Sequence, residues 1–228
     1  VATRLAELGA RVVALDRDED ALNATCASSE RLIPHVADFA GGDTDELGRD
    51  VARRHGPIEL IVNNVGIDTP ESFRELDPAG FDRTFATNLR GPWFFTRPLV
   101  QDLIEREQTG AIVFISSLHD HVVRTHPQYS TSKAGVAMLV RELAHELGPH
   151  GIRVNAISPG AILTRAVSAS ADDAARVRRL VPLGRIGQPA DIAAMAAVLL
   201  SDEWSAYVTG ANVPVDGGLN LYTWSADE

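Results

Sequence analysis

Tyr129 and Lys133 are the first pair in this sequence that could do chemistry, set in Gln128-Tyr129-Ser130-Thr131-Ser132-Lys133. Residues four apart on a helix share a face, so the Lys133 ammonium is expected close to the Tyr129 phenol. A free phenol titrates near ~10 and stays protonated at neutral pH. A neighbouring positive charge favours the phenolate, so Lys133 is expected to lower that value. A phenol poised in this way can accept a proton from an alcohol or donate one to a ketone. The Tyr-x-x-x-Lys spacing alone also fits two surface residues on an amphipathic helix. What surrounds the pair has to decide.

The elements that must position the pair alternate along the chain. Residues 1–8 read as the tail of a helix stopped by Gly9, and 11–16 as a buried strand ending in Asp16. Asp18 can cap a helix to about Cys26. Residues 31–37 read as a poorer strand, bent at Pro34. A helix from Gly41–Thr44 to about His55 precedes a strand over 58–63, which turns out through Asn64-Val65-Gly66. Helical patterns cover 73–88 and 91–107, and a strand covers 111–116. A histidine-rich loop leads into the long helix of Tyr129 and Lys133, whose apolar positions Val136, Leu139, Val140, Leu143 and Leu147 keep helical spacing to Gly148. A strand over 151–157 closes at Ser158-Pro159-Gly160. A polar helix or loop over 166–180, a helix over 189–200 and a short strand over 211–216 complete the chain.

The strands are short, rich in Val and Ile, and apolar on both faces, as strands covered by helices on two sides must be. The expected fold is a single α/β domain, residues 1–228, of three layers around a mainly parallel, doubly wound Rossmann-type sheet. Ligands of such sheets bind beyond the carboxyl ends of the strands. Those ends carry Asp16, Asn63 to Gly66, Ser116 and Ser117, and Ser158 to Gly160, so the polar groups converge on one cleft with Tyr129 and Lys133.

The 228 residues suffice for one sizeable core. A net charge of −10 without a basic block argues against nucleic acid or an anionic membrane as the main partner. Cys26 is the only cysteine, which excludes an internal disulfide and fits a cytoplasmic setting. No apolar run approaches the ~20 residues of a membrane-spanning helix.

In order and spacing, these motifs resemble the short-chain dehydrogenase/reductase family over essentially the whole chain. The matching pieces are Asp16, Asp38, Asn63-Asn64-Val65-Gly66, Asn88, Ser117, Tyr129 with Lys133, Pro159-Gly160, and Val215-Asp216-Gly217-Gly218. The resemblance implies a nicotinamide-dependent oxidoreductase of secondary alcohols and ketones, as a homotetramer or dimer. It implies that Tyr129 is the acid/base, that Ser117 holds the substrate oxygen, and that Asn88 kinks its helix and orders a relay water. Ser116 competes for the serine role; Ser117 is preferred because it begins the turn. Lys133 would also hold the nicotinamide ribose. Asp16 would bind the adenosine ribose and repel a 2′-phosphate, favouring NAD over NADP. Asp38 would meet the adenine. Asn63, Val65 and Gly66 would line the cofactor cleft, and Pro159, Gly160, Ile162 and Thr164 would flank the nicotinamide. Segment 165–183 is expected to act as a lid.

The family's first strand and glycine-rich phosphate turn are not found in these residues; Gly41-Gly42 lies in the wrong place. Two readings follow. Either upstream residues supply both, which is favoured because the first residue is Val1, or the chain is a cofactor-free scaffold or non-redox catalyst. The cluster His119, Asp120, His121 and His126 reads as a polar wall of the substrate cleft in preference to a metal site, so no metal is expected.

Overall fold

The computed structural model describes residues 1–69, 71–123, 125–164 and 177–221. Six parallel strands run β1 (Val12–Asp16), β2 (Leu32–Val36), β3 (Leu60–Asn63), β4 (Gly110–Ile115), β5 (Ile152–Pro159) and β6 (Asn212–Val215). The helices between them are α1 (Ala2–Glu7), α2 (Glu19–Cys26), α3 (Thr44–His55), α4 (Pro78–Phe85), α5 (Gly91–Glu105), α6 (Pro127–Leu147) and α7 (Pro189–Leu200). The expected α/β architecture is present, with helices on both faces of parallel strands.

The strands fall into two ladders, β1-β2 and β3-β4-β5-β6. Among the described residues no ladder joins β1 to β3, so each keeps one unpaired edge.

Two apolar layers sandwich the larger ladder. On one side Ile112, Phe114, Val154 and Ala156 meet Val51 of α3, Leu99 and Leu103 of α5, and Val136 and Val140 of α6. On the other side Ala111, Val113 and Ile157 meet Ile192, Ala196 and Leu199 of α7. Alternate residues of one strand thus serve opposite layers, as the two-residue strand period requires.

Three local expectations change. Pro34 does not bend its strand: β2 pairs in regular register with β1, Pro34 opposite Ala14. The strand lies at an edge, where a missing N–H donor is tolerated. The helix expected over 73–88 starts later, at Pro78, with the Asp77 side chain accepting from Gly80 N. Ahead of it, Ser72 Oγ donates to Glu75 in a separate turn. The helix then loosens into a π turn over Ala86–Arg90 before α5. The lid expected over 165–183 and the helix or loop over 166–180 lie for the most part outside the described residues.

Candidate active site

Helix α6 begins on the site. Its N-terminal turn carries Tyr129, and Lys133 follows one turn on, both on the face toward β4. The Lys133 ammonium is buried, 3% exposed, and donates to the carbonyl oxygen of Ile115 at 2.9 Å. It stands 5.7 Å from the centroid of the Tyr129 ring. Burial pushes the Lys133 pKa down to about 8, against the opposing charge of Asp120. The phenol moves the other way. Burial raises the Tyr129 pKa, the Ser117 hydrogen bond lowers it, and the carboxylates of Asp68 and Asp120 raise it further. The expectation that Lys133 charges the phenol down is therefore corrected: desolvation is the larger effect, and the ammonium is directed at a backbone carbonyl.

The two candidate serines separate cleanly. Ser117 stands near enough to the Tyr129 phenol to favour its ionised form, and its Oγ accepts from His119 N at 3.3 Å. Ser116 points inward, its Oγ donating toward Asp120 Oδ2 at 2.8 Å or Lys133 O at 3.2 Å. Of the two, Ser117 is the one that acts on the phenol.

Asn88 sits in the π turn, 1% exposed. Its Oδ1 accepts from Ile67 N at 2.8 Å, and its Nδ2 donates to Ile67 O at 2.9 Å and Ser132 Oγ at 3.0 Å. Asn88 thus clamps the loop after β3 to α6. Gly66 lies in that loop, where a Cβ would stand 3.2 Å from Lys133 Nζ and 3.6 Å from Asn88 Oδ1. Close approach of this backbone to the ammonium is the reason for a glycine here.

Around the pair, the His119 ring meets Tyr129 edge-on at 5.1 Å and His126 at 5.7 Å. His126 Nδ1 bonds the Asp68 carboxylate at 2.9 Å. A cavity of about 390 Å³ opens beside them, lined by His119, His121, His126, Val122, Ser130 and Thr131 among others. Among the described residues no three His, Cys, Asp or Glu side chains are grouped to hold a metal ion.

The remaining expected residues are distributed as follows. Asp16 is exposed at the end of β1, its Oδ1 accepting from Asp18 N. Asp38 is exposed after β2, accepting from Ala40 N. Asn63 is buried and donates to Thr96 Oγ1 of α5 at 2.9 Å, so its amide braces the strand end. Val65 is half-buried. Pro159 ends β5, and Gly160 N donates to Val215 O. Ile162 bridges to Gly187, and Thr164 is exposed.

The sequence placed Asp120 on the cleft wall, and it does border the cavity; what the sequence did not show is that Asp120 Oδ2 also bonds Ser158 Oγ of β5 and Asn212 Nδ2 of β6. Its side chain is 2% exposed and faces inward. The signal was there in part: an acid five residues past the end of β4, with Ser158 near the end of the next strand. Asn212 could not be placed beside it without the topology.

A parallel α/β sheet with a buried lysine one helical turn from a serine-paired tyrosine at its carboxyl edge defines a class of alcohol and carbonyl oxidoreductases. Residues 1–220 match a family model described as enoyl-(acyl carrier protein) reductase. The chain belongs to the short-chain dehydrogenase/reductase family. It is 35% identical over 240 residues to 3beta-hydroxysteroid dehydrogenase 1 of Eggerthella lenta, covering 97% of this chain and 88% of that protein. It is 35% identical over 237 residues to L-rhamnose 1-dehydrogenase (NAD(P)(+)) of Azotobacter vinelandii, covering 96% and 90%. A crystal structure of a putative short-chain alcohol dehydrogenase from Sinorhizobium meliloti 1021 superposes with a TM-score of 0.90 at 32% identity, covering 98% of this chain and 91% of that one. The chain is thus an oxidoreductase of this type, using a nicotinamide cofactor. No helix among the described residues is long and apolar enough to cross a membrane.

The described residues suit the nicotinamide side of such a cofactor. Gly66 leaves the backbone open beside Lys133, and Gly160 follows the end of β5. Among the described residues no glycine-rich turn forms a cradle of N–H groups for the pyrophosphate.

Proposed function

We propose that this protein interconverts a secondary alcohol and a ketone, with NAD favoured over NADP and Tyr129 as the acid/base. The observation that carries the reading is the buried Lys133 ammonium, fastened to Ile115 O just ahead of Ser116-Ser117 and 5.7 Å from the Tyr129 ring one helical turn away. The cofactor, when bound, supplies the hydride acceptor or donor. The protein's residues handle the oxygen and its proton. In alcohol oxidation Tyr129 Oη accepts the hydroxyl proton, and Ser117 Oγ donates to the same substrate oxygen as charge builds on it. In ketone reduction Tyr129 gives the proton back. A raised phenol pKa suits the second direction, since the proton is held ready. Lys133, with a pKa of about 8, remains mainly protonated at neutral pH and presents its charge to the cofactor ribose. Asn88 holds the loop after β3 that would cover the cofactor, and its position in the π turn suits the relay role.

The preference for NAD rests on Asp16, whose carboxylate would repel a 2′-phosphate. The L-rhamnose relative's name carries both nucleotides, so the preference is the finer part of the reading. Asp38, Asn63, Val65, Gly66, Pro159, Gly160, Ile162 and Thr164 complete the proposed cofactor contacts. A homotetramer or dimer belongs to the same reading, supported by Trp93 at 47% exposed and Phe81 at 44% exposed along α4 and α5. A cytoplasmic setting is supported by the lone cysteine.

The test is Tyr129→Phe in a protein that turns over a secondary alcohol with NAD. Turnover is expected to fall by roughly 100-fold or more, with NADH binding by calorimetry retained. Near-normal turnover in that variant would remove Tyr129 from the chemistry.

A further inference from the structure

We propose that Asp120 is a positioning residue for the proton-transfer pair: its buried carboxylate ties the ends of β4 and β5 and the start of β6 to the turn Ser117–Asp120, and so fixes where Ser117 stands against Tyr129. The proposal rests on the oxidoreductase reading for the roles of Ser117 and Tyr129.

The donors come from separate parts of the chain. Asp120 Oδ2 lies 2.8 Å from Ser116 Oγ at the end of β4, 2.7 Å from Ser158 Oγ in β5, and 2.7 Å from Asn212 Nδ2 in β6. Oδ1 bonds His121 Nδ1. Ser158 Oγ also lies 2.7 Å from Asn212 Oδ1, so three neighbouring strands and the carboxylate close into one network. The backbone returns the grip, since Asp120 N donates to Ser117 O at 3.0 Å. The side chain is 2% exposed and its oxygens are taken up by these donors, although the residue borders the cavity. Its effect passes through the turn it holds. Buried, fully satisfied polar networks of this kind fix geometry, and breaking one member leaves others unpaired.

The carboxylate also sets the local field. Burial raises its pKa, but hydrogen bonds from Ser158, His121, Asn212 and Ser116 overcome this, so it stays charged. Its charge favours the ammonium of Lys133 and the neutral phenol of Tyr129. The other charged or titratable groups around the pair are Asp68, which acts on Tyr129 in the same sense, His119 against the ring, His126 on Asp68, and His121 on Asp120 itself.

Lys133 is the only lysine in the sequence, so its ionisation can be read without interference. The experiment compares the parent, Asp120→Asn and Asn212→Ala, each labelled with ¹³C-lysine for NMR titration and assayed with a secondary alcohol and NAD. For Asp120→Asn, kcat is expected to fall roughly 10–100-fold, with the KM for NAD little changed and the Lys133 midpoint moved to lower pH. For Asn212→Ala, kcat is expected to fall less, in the same direction. A purely structural role would not move the midpoint. Parent-like kcat and midpoint in Asp120→Asn overturn the proposal. If that variant does not fold, parent-like kcat in Asn212→Ala overturns it instead. A parent that oxidises no alcohol with either nucleotide defeats the oxidoreductase reading, while the Lys133 midpoint still reports whether Asp120 governs the site.

Discussion

The buried ammonium of Lys133 donates to the carbonyl oxygen of Ile115, at the very end of β4, and not to the phenol of Tyr129. The helix that carries the tyrosine is thereby fastened to the strand that leads into Ser117. The lysine's first service to the site is geometric. Its charge acts on a phenol whose pKa burial holds up.

The depressed Lys133 pKa has a thermodynamic sign that can be measured. An unfolded lysine titrates near ~10.4, whereas this one titrates at about 8 when folded. Between those values the unfolded chain binds more protons, so stability rises with pH across this window. Compared with Lys133→Met, the parent should gain on the order of 3 kcal/mol between pH 8 and 10.5. Tyr129 opposes this only toward pH 10 and above, because its raised pKa makes the folded state hold a proton that the unfolded state releases. Urea unfolding of both proteins at pH 7.5, 8.5 and 9.5 checks the trend. A flat difference would mean that Lys133 is not desolvated.

Asp16 should govern the choice of nucleotide. Its carboxylate stands exposed at the end of β1, with only Asp18 N on its Oδ1. Removing a charged hydrogen-bond acceptor costs about 1.5–3 kcal/mol. In Asp16→Ala the KM for NAD should therefore rise roughly 10–100-fold. The penalty for NADP should shrink at the same time, since the repulsion of its 2′-phosphate is gone. Steady-state kinetics with both nucleotides measures this. An unchanged preference ratio would take Asp16 out of cofactor selection.

What the sequence made legible was local. A helix deals with residues four apart in a fixed way, so Tyr129 and Lys133 could be placed on one face without a structure. Alternating helices and strands made the layers legible, and strand ends made the cleft legible. The partners of those side chains were not, because they depend on long-range topology. Ile115 lies 18 residues from Lys133, and Asn212 lies 92 from Asp120. Pro34 was read as a bend because nothing in the residues says which strands lie at an edge. The kink expected at Asn88 takes the form of a π turn over Ala86–Arg90, a form the apolar pattern does not distinguish from an α-helical one.

Gly48 marks the closest crossing of α3 and α5. A Cβ there would lie 2.4 Å from Phe95 O and 2.6 Å from Pro98 Cγ. Neither neighbour can retreat, one being backbone and the other a proline ring in a helix. Gly48→Ala should cost about 1–3 kcal/mol through overpacking. The urea midpoint should fall without a change in slope. A variant as stable as the parent would show that the two helices slide apart freely.

Asn88 should prove to be a stability residue as well as a site residue. Its amide satisfies both backbone groups of Ile67 and reaches Ser132 of α6. Asn88→Ala leaves the Ile67 N–H and C=O without these partners, at about 1–3 kcal/mol. Asn88→Asp keeps the acceptor for Ile67 N but loses the donors to Ile67 O and Ser132, so its loss should fall between. Hydrogen exchange separates this from a role confined to proton relay. In Asn88→Ala the Ile67 amide should lose protection while amides in β4 and β5 keep theirs, since the loop opens without the core unfolding. If Ile67 stayed protected in Asn88→Ala, the loop after β3 would be held by something other than this side chain.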